Sequence, residues 1–157
     1  MTVHLIKLCV GIDSIDELSR YRDDLAAKLK KRGRPLEDQH VTRTRPKRDA
    51  EVLDGGSLYW VIRGIMCVRH RILRLDDVTL ADRDGGEGDT AYCAIVYDPT
   101  VIVTEPRPRR PFRGWRYLES EDAPPDLIDQ RAALRQIRAE GKLPAELLRE
   151  LKTLGLM

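Results

Sequence analysis

No segment of this sequence stays apolar for long. The first candidate, MTVHLIKLCVG, is cut by Lys7 and shows neither a basic leader nor a small-residue cleavage site, so it is read as neither a signal peptide nor a membrane span. Net charge is scarce too: 28 lysines and arginines face 26 aspartates and glutamates, leaving +2. That excludes a uniformly basic protein, and any anionic partner must be met by charge gathered in places. Cysteine is limited to Cys9, Cys67 and Cys93, an odd number set far apart in apolar runs. This excludes a disulfide framework and fits buried thiols in a reducing compartment, the cytoplasm. No internal repeat or low-complexity tract is present. None of the few serines stands in a GxSxG elbow, so nucleophilic catalysis has no visible seat.

What the chain does have is segregated charge. Residues 30–48 carry Lys30, Lys31, Arg32, Arg34, Arg43, Arg45, Lys47 and Arg48 against only Glu37 and Asp38, while residues 82–89 are acidic. A second basic block, TEPRPRRPFRGWRYL at residues 104–118, packs five arginines, three prolines and three of the eight aromatics into fifteen residues. Arginine offers a rigid fork for phosphate and a flat face for rings, and the prolines hold the backbone extended.

The length, 157 residues with 41% hydrophobic content, suits one domain with a real core. Residues 3–10 are β-rich and end at Gly11. Ser14 followed by Glu17 makes a capping box, and Leu18, Leu25 and Leu29 share a face, so a helix is expected over 14–32, closed by Gly33 and Pro35. A short strand is expected at 40–45, a helical turn at 47–53, and a tight turn at Asp54-Gly55-Gly56. Strands at 57–62 and 65–75 read as a hairpin about Arg63-Gly64, with Leu58, Trp60 and Ile62 on one side. Further strands are expected at 91–97, 100–104 and 113–118 around the polar loop 82–89. From Pro124 the period becomes helical, with Pro125 at a first helical position and Pro144 opening a last helix. The sum is a single domain, residues 1–157: an α+β core at 1–123 built on a small, mostly antiparallel β-barrel with an N-terminal helix, and a C-terminal helical hairpin at 124–157.

His4, Cys9, His40, Cys67, His70 and Cys93 are potential metal ligands, but Cys67 and His70 stand three apart in a strand, where side chains alternate. Buried thiols and isolated histidines are the better reading. Residues 82–89 lack the ligand register of a calcium loop, and Asp54-Gly55-Gly56 leads into a strand rather than the helix a phosphate loop needs. No catalytic, metal or cofactor site is assigned. The positive case is nucleic acid. Arg43, Arg45, Lys47 and Arg48 with Arg107, Arg109, Arg110, Arg113 and Arg116 suit phosphate oxygens, and Trp115 and Tyr117, with Phe112 and Tyr59 behind them, offer rings on which bases stack. The opposing reading has these aromatics capping the core and the arginines paired to acids. Trp60 reads as core, and Trp115 stays open between core and surface.

The blocks HVTRTRPKR (residues 40–48), LDGGSLYWVIRG (53–64) and TEPRPRRPFRGWRYL, with HLIKLCVG at 4–11, resemble the signature of a small bacterial family of unknown function. That resemblance implies a bacterial cytosolic protein. Residues 46–75 are more remotely similar in polarity pattern to PUA-like domains of the EVE and ASCH kinds, which implies a barrel that binds RNA or modified bases. The expected function is a non-catalytic module for RNA or an unpaired or modified base. The alternatives are an enzyme on a small anionic or nucleotide substrate, with Glu105, Asp54 or Lys47 moving protons, and a protein-interaction adaptor that presents the arginines to an acidic partner.

Overall fold

A computed structural model describes residues 1–9, 11, 12, 14–81 and 89–140. The chain opens with β1 (Val3–Leu8) and α1 (Ile15–Lys31). α1 starts where its cap dictates: Ser14 Oγ accepts from the Glu17 backbone N–H at 3.1 Å, with Asp16 and Glu17 in the positively polarised first turn. It ends after a basic last turn, at Gly33 with φ +64°. Next come β2 (Asp38–Thr42) and the single-turn helix α2 (Asp49–Val52).

β3 (Ser57–Ile62) and β4 (Ile65–Ala81) form the expected hairpin. Arg63 and Gly64 both have positive φ, 50° and 77°, the pair of left-handed residues whose twist matches that of the strands. β4 runs six residues past its expected end at Leu75. β5 (Asp89–Tyr97) pairs with its outer half, from Ala81↔Asp89 to Ile72↔Tyr97, and β6 (Ile102–Pro108) pairs with its inner half, from Arg69↔Ile102 to Ile65↔Pro108. The two strands expected around Asp98-Pro99 thus share one long partner. β7 (Trp115–Glu119) pairs with β1.

The result is α+β, a seven-stranded, mostly antiparallel sheet in the order β2-β5-β4-β3-β1-β7 with β6 on β4. Only β1 and β3 are parallel, joined through α1, β2 and α2. Among the described residues no ladder joins β2 to β7, so the sheet is not closed into a barrel.

The helix expected from Pro125 begins later, as α3 (Gln130–Glu140). Residues 123–129 are held instead by β6: Glu105 N–H donates to Pro125 O at 2.9 Å and Leu127 N–H to Val103 O at 3.0 Å. Asp129 supplies the cap, accepting from Ala132 N–H at 3.0 Å. The last helix expected from Pro144 lies outside the described residues.

Two apolar clusters sandwich the sheet. The larger joins Leu5, Leu58, Trp60, Ile62, Val68 and Ile95 to Ile15 and Leu18 of α1 and to Ala133 and Ile137 of α3. The smaller, on the opposite face, joins Ile6, Tyr59, Val61, Met66 and Leu118. β3 is therefore buried on both faces, and its six residues are all apolar or small.

Gly56 carries a heavy packing constraint. A Cβ there would collide with the Val52 carbonyl oxygen and lie 2.6 Å from Val3 O. Both are backbone atoms, fixed by α2 and β1. Gly56→Ala is expected to cost about 2–3 kcal/mol, the upper range of overpacking penalties, read as a lower denaturation midpoint with an unchanged m-value.

His70 is fully buried beside Tyr97, ring centroids 4.9 Å apart, and its Nδ1 lies 3.0 Å from Thr100 O. A carbonyl only accepts, so Nδ1 carries the proton. Burial, with Arg22 nearby, pushes the pKa down to about 3. In the unfolded chain the imidazole takes a proton below about pH 6.5, whereas in the fold it stays neutral. Stability is therefore fully present above pH 6.5 and falls with pH, by about 2 kcal/mol from this group between pH 7 and pH 5. Denaturant titrations at the two pH values check this, and equal midpoints contradict it.

Candidate nucleic-acid interface

The second basic block is laid out by the two strands that flank β3, β4 on one side and β1 on the other. β6 carries it along β4 as far as Pro108, Arg109 N–H donates to Gly64 O at 2.8 Å, and residues 109–114 then cross to β7 beside β1. Phe112 anchors the crossing by packing on the smaller apolar cluster. The Arg109 and Arg116 guanidiniums stand 5.7 and 5.9 Å from its ring centroid. Arg116 pairs with Ile6 in the ladder and shares its face, while Trp115 and Tyr117 turn to the other face, against the larger cluster. The cations therefore wrap the β7 edge of the sheet.

The first basic block comes to the same edge. Trp115 Nε1 donates to Thr44 O at 2.9 Å, and Tyr117 Oη accepts from Arg48 N–H at 3.1 Å. Thr42, Arg43, Thr44, Arg113 and Trp115 line a shallow concavity of about 470 Å³. The Asp54-Gly55-Gly56 turn is not part of it. That turn lies against Val3, and Trp115 faces Lys7 at the far end of β1.

The nine expected phosphate-binding cations divide into two groups. Arg43, Lys47, Arg109, Arg110, Arg113 and Arg116 are exposed and have no carboxylate partner among the described residues. The other three are engaged within the chain. Arg45 reaches Asp77 at 3.1 Å and Asp49 at 3.4 Å, and Arg48 grips Glu51 at 2.7 Å and Glu119 at 2.6 Å. Arg107 donates to Asp122 O at 3.4 Å and stands 4.0 Å from Glu105. Arg48 also lies 5.3 Å above the Tyr117 ring, and the Tyr117 edge meets Trp115 at 4.8 Å between centroids, so these two rings brace each other. Trp115 is half-buried, and Tyr59 is 4% exposed under His4 and out of reach of a ligand.

Among the described residues no hydrogen bond or ion pair joins Glu105, Asp54 and Lys47, the residues named for proton chemistry. Asp54 takes the terminal amine of Met1 at 3.6 Å, and Glu105 stands 4.0 Å from Arg107. Among the described residues no three His, Cys, Asp or Glu side chains are grouped to hold a metal. No described helix is long and apolar enough to cross a membrane.

A larger cavity, about 720 Å³, lies elsewhere, between α1 and the sheet. Lys7, Arg22, Asp38, His40, Trp60 and Tyr97 form part of its wall. Arg22 is salt-bridged to Asp38, which also accepts from Tyr97 Oη at 3.1 Å. Burial, helped by the Lys7 charge, holds His40 neutral with its pKa lowered to about 4, and burial pushes the Cys9 thiol up to about 11. Trp60 is core, as the sequence implies, 4% exposed within the larger apolar cluster, while the place of His40 on the cavity wall is not visible from the sequence. The signal for the cavity was Arg22, a cation on the apolar stripe of Leu18, Leu25 and Leu29.

The family model described as a protein of unknown function, DUF1489, matches residues 5–157. The chain belongs to the DUF1489 family. Comparison of this DUF1489 protein with curated proteins and with solved structures found no match.

Proposed function

We propose that this DUF1489 protein is a non-catalytic nucleic-acid-binding module that holds single-stranded RNA along the β7 edge. One observation carries the reading: six exposed cations have no carboxylate partner among the described residues, Arg43 and Arg113 beside Trp115 and Arg109 and Arg116 over Phe112 among them, in a chain whose net charge is only +2. Cations kept free of the protein's own acids are available for phosphate. The open surface they form suits a strand, whereas a small anionic substrate calls for an enclosed cleft. The stacking surface is Trp115, with its ring fixed by Thr44 and Tyr117.

Approach of the two sheet ends, through the Trp115 to Thr44 hydrogen bond, supports a PUA-like barrel left open at this seam. Three unbridged cysteines support a reducing compartment, the bacterial cytoplasm. Fluorescence anisotropy with a labelled single-stranded RNA at two salt concentrations tests the reading. Binding that weakens steeply with salt is expected, and no binding at low salt defeats it.

A further inference from the structure

We propose that the shallow concavity at the seam between β2 and β7 receives the phosphorylated end of a single-stranded RNA, with the terminal phosphomonoester held by Arg43 and Arg113. This rests on the reading of the β7 edge as a strand site and names the part of the strand that is seated at the seam.

The concavity has room for a nucleotide but does not enclose one. Its volume, about 470 Å³, falls in the range of small-molecule sites, while its shallowness leaves the rest of the strand to supply affinity along the edge. Trp115 forms part of its wall and is held from two sides. Its Nε1 donates to Thr44 O at 2.9 Å, and Tyr117 meets it edge-on at 4.8 Å between centroids. A ring fixed in this way offers a base a ready surface.

The polar groups match a phosphomonoester. Arg43 and Arg113 both line the concavity, both are exposed, and neither has a carboxylate partner among the described residues. A guanidinium fork engages phosphate oxygens two at a time. An internal phosphodiester offers two free oxygens and a single charge, whereas a terminal phosphate offers three oxygens and close to two charges. Two uncommitted forks on one concavity suit the terminal group better.

The surroundings explain why a strand stops here. Thr42 pairs with Cys93 of β5, and Cys93 with Asp77 of β4, so the outer half of β4 lies two strands beyond the concavity. There the surface changes sign. Arg45 is shared by Asp49 and Asp77, and Arg74 by Glu37 and Asp76, two carboxylates to each guanidinium. The Asp77 side chain is 84% exposed, so its charge faces whatever passes over β4. On the other side of the seam, Arg109 and Arg116 stand over Phe112 without a carboxylate partner among the described residues. A strand that follows the β7 edge to the seam is attracted up to Arg43 and Arg113 and repelled beyond them.

The test uses the whole chain and one short RNA sequence in three forms: phosphorylated at the 5′ end, phosphorylated at the 3′ end, and with hydroxyls at both ends. Each carries the same internal label and is titrated by fluorescence anisotropy at low salt. At least one phosphorylated form is expected to bind roughly tenfold tighter than the hydroxyl form, the worth of about one charge-assisted hydrogen bond, and which form it is identifies the end that is seated. Arg43→Ala with Arg113→Ala is expected to abolish that preference. Arg110→Ala with Arg116→Ala is expected to weaken all forms alike and keep it. Where the Arg43 and Arg113 alanine pair fails to fold, Arg43→Gln with Arg113→Gln replaces it with the same expectation. Equal binding of the three forms overturns the proposal and leaves the strand reading of the β7 edge standing, as does a preference that survives loss of Arg43 and Arg113. Absence of binding by all three defeats the strand reading and the proposal with it.

Discussion

Replacing Arg109, Arg110, Arg113 and Arg116 together with alanine lowers affinity for single-stranded RNA by roughly 100-fold or more at about 0.1 M salt. It also flattens the dependence of log affinity on log salt by up to about 3 units. Each cation that neutralises a strand phosphate releases close to 0.7 of a counterion, so four of them account for a slope of about −2.8. These four are chosen because they are exposed and have no carboxylate partner among the described residues. Their removal leaves no acid stranded. Arg109 and Arg116 do stand over Phe112, but that ring is also held by the apolar cluster beneath it, so the crossing segment keeps its anchor. Arg45→Ala is the matched contrast: its guanidinium already faces Asp77 and Asp49, so the effect on the salt slope is small. Anisotropy titrations across a salt series check both variants. A slope unchanged by the fourfold replacement contradicts the assignment.

The second large effect is on stability. Asp38→Asn is expected to cost about 3 kcal/mol and to lower the melting temperature by about 6–12 °C. The Arg22 side chain is 7% exposed and Asp38 18% exposed, so the pair is shielded from water on both sides. Arg22 also stands 5.1 Å above the Tyr97 ring, and Tyr97 Oη donates to the same Asp38 carboxylate. The cluster fastens α1 to β2 and β5. Asparagine preserves shape and one acceptor oxygen but leaves a buried guanidinium without counter-charge. Removing both charges, as Arg22→Met with Asp38→Asn, should recover most of the loss, because a desolvated pair gives little net stability over apolar packing. Thermal melts of the two single variants and the double variant measure the coupling. Additive losses show that the pair does not act as a unit.

How much of this was legible in the sequence varies by feature. α1 was readable because cap, first-turn acids, basic last turn and Gly33 all agree. The β3–β4 hairpin was readable because Arg63-Gly64 interrupts two apolar runs. The late start of α3 was not, since it depends on residues 123–129 finding hydrogen-bond partners on β6, a contact some twenty residues away in sequence. The length of β4 was hidden for the same reason: Asp76, Asp77 and Thr79 look like loop residues until β5 pairs with them. At the candidate site, composition located both basic blocks, and the hydrogen bonds of the Trp115 and Tyr117 side chains to the backbone at Thr44 and Arg48, rather than any strand pairing, bring them together. Which cations stay free was not readable, because Asp77 and Glu119 reach Arg45 and Arg48 from distant positions in the chain. The cavity under α1 was missed because His40, Trp60 and Arg22 come from three separate elements.

Ultraviolet cross-linking of the protein to a short single-stranded RNA at low salt, followed by mass spectrometry of the linked peptides, tests the central claim most directly. The account predicts cross-links in peptides spanning residues 104–118, with Trp115 as the main acceptor, and in peptides around Arg43 and Lys47, all lost at high salt. Cross-links absent at low salt, or confined to peptides away from the β7 edge, contradict it.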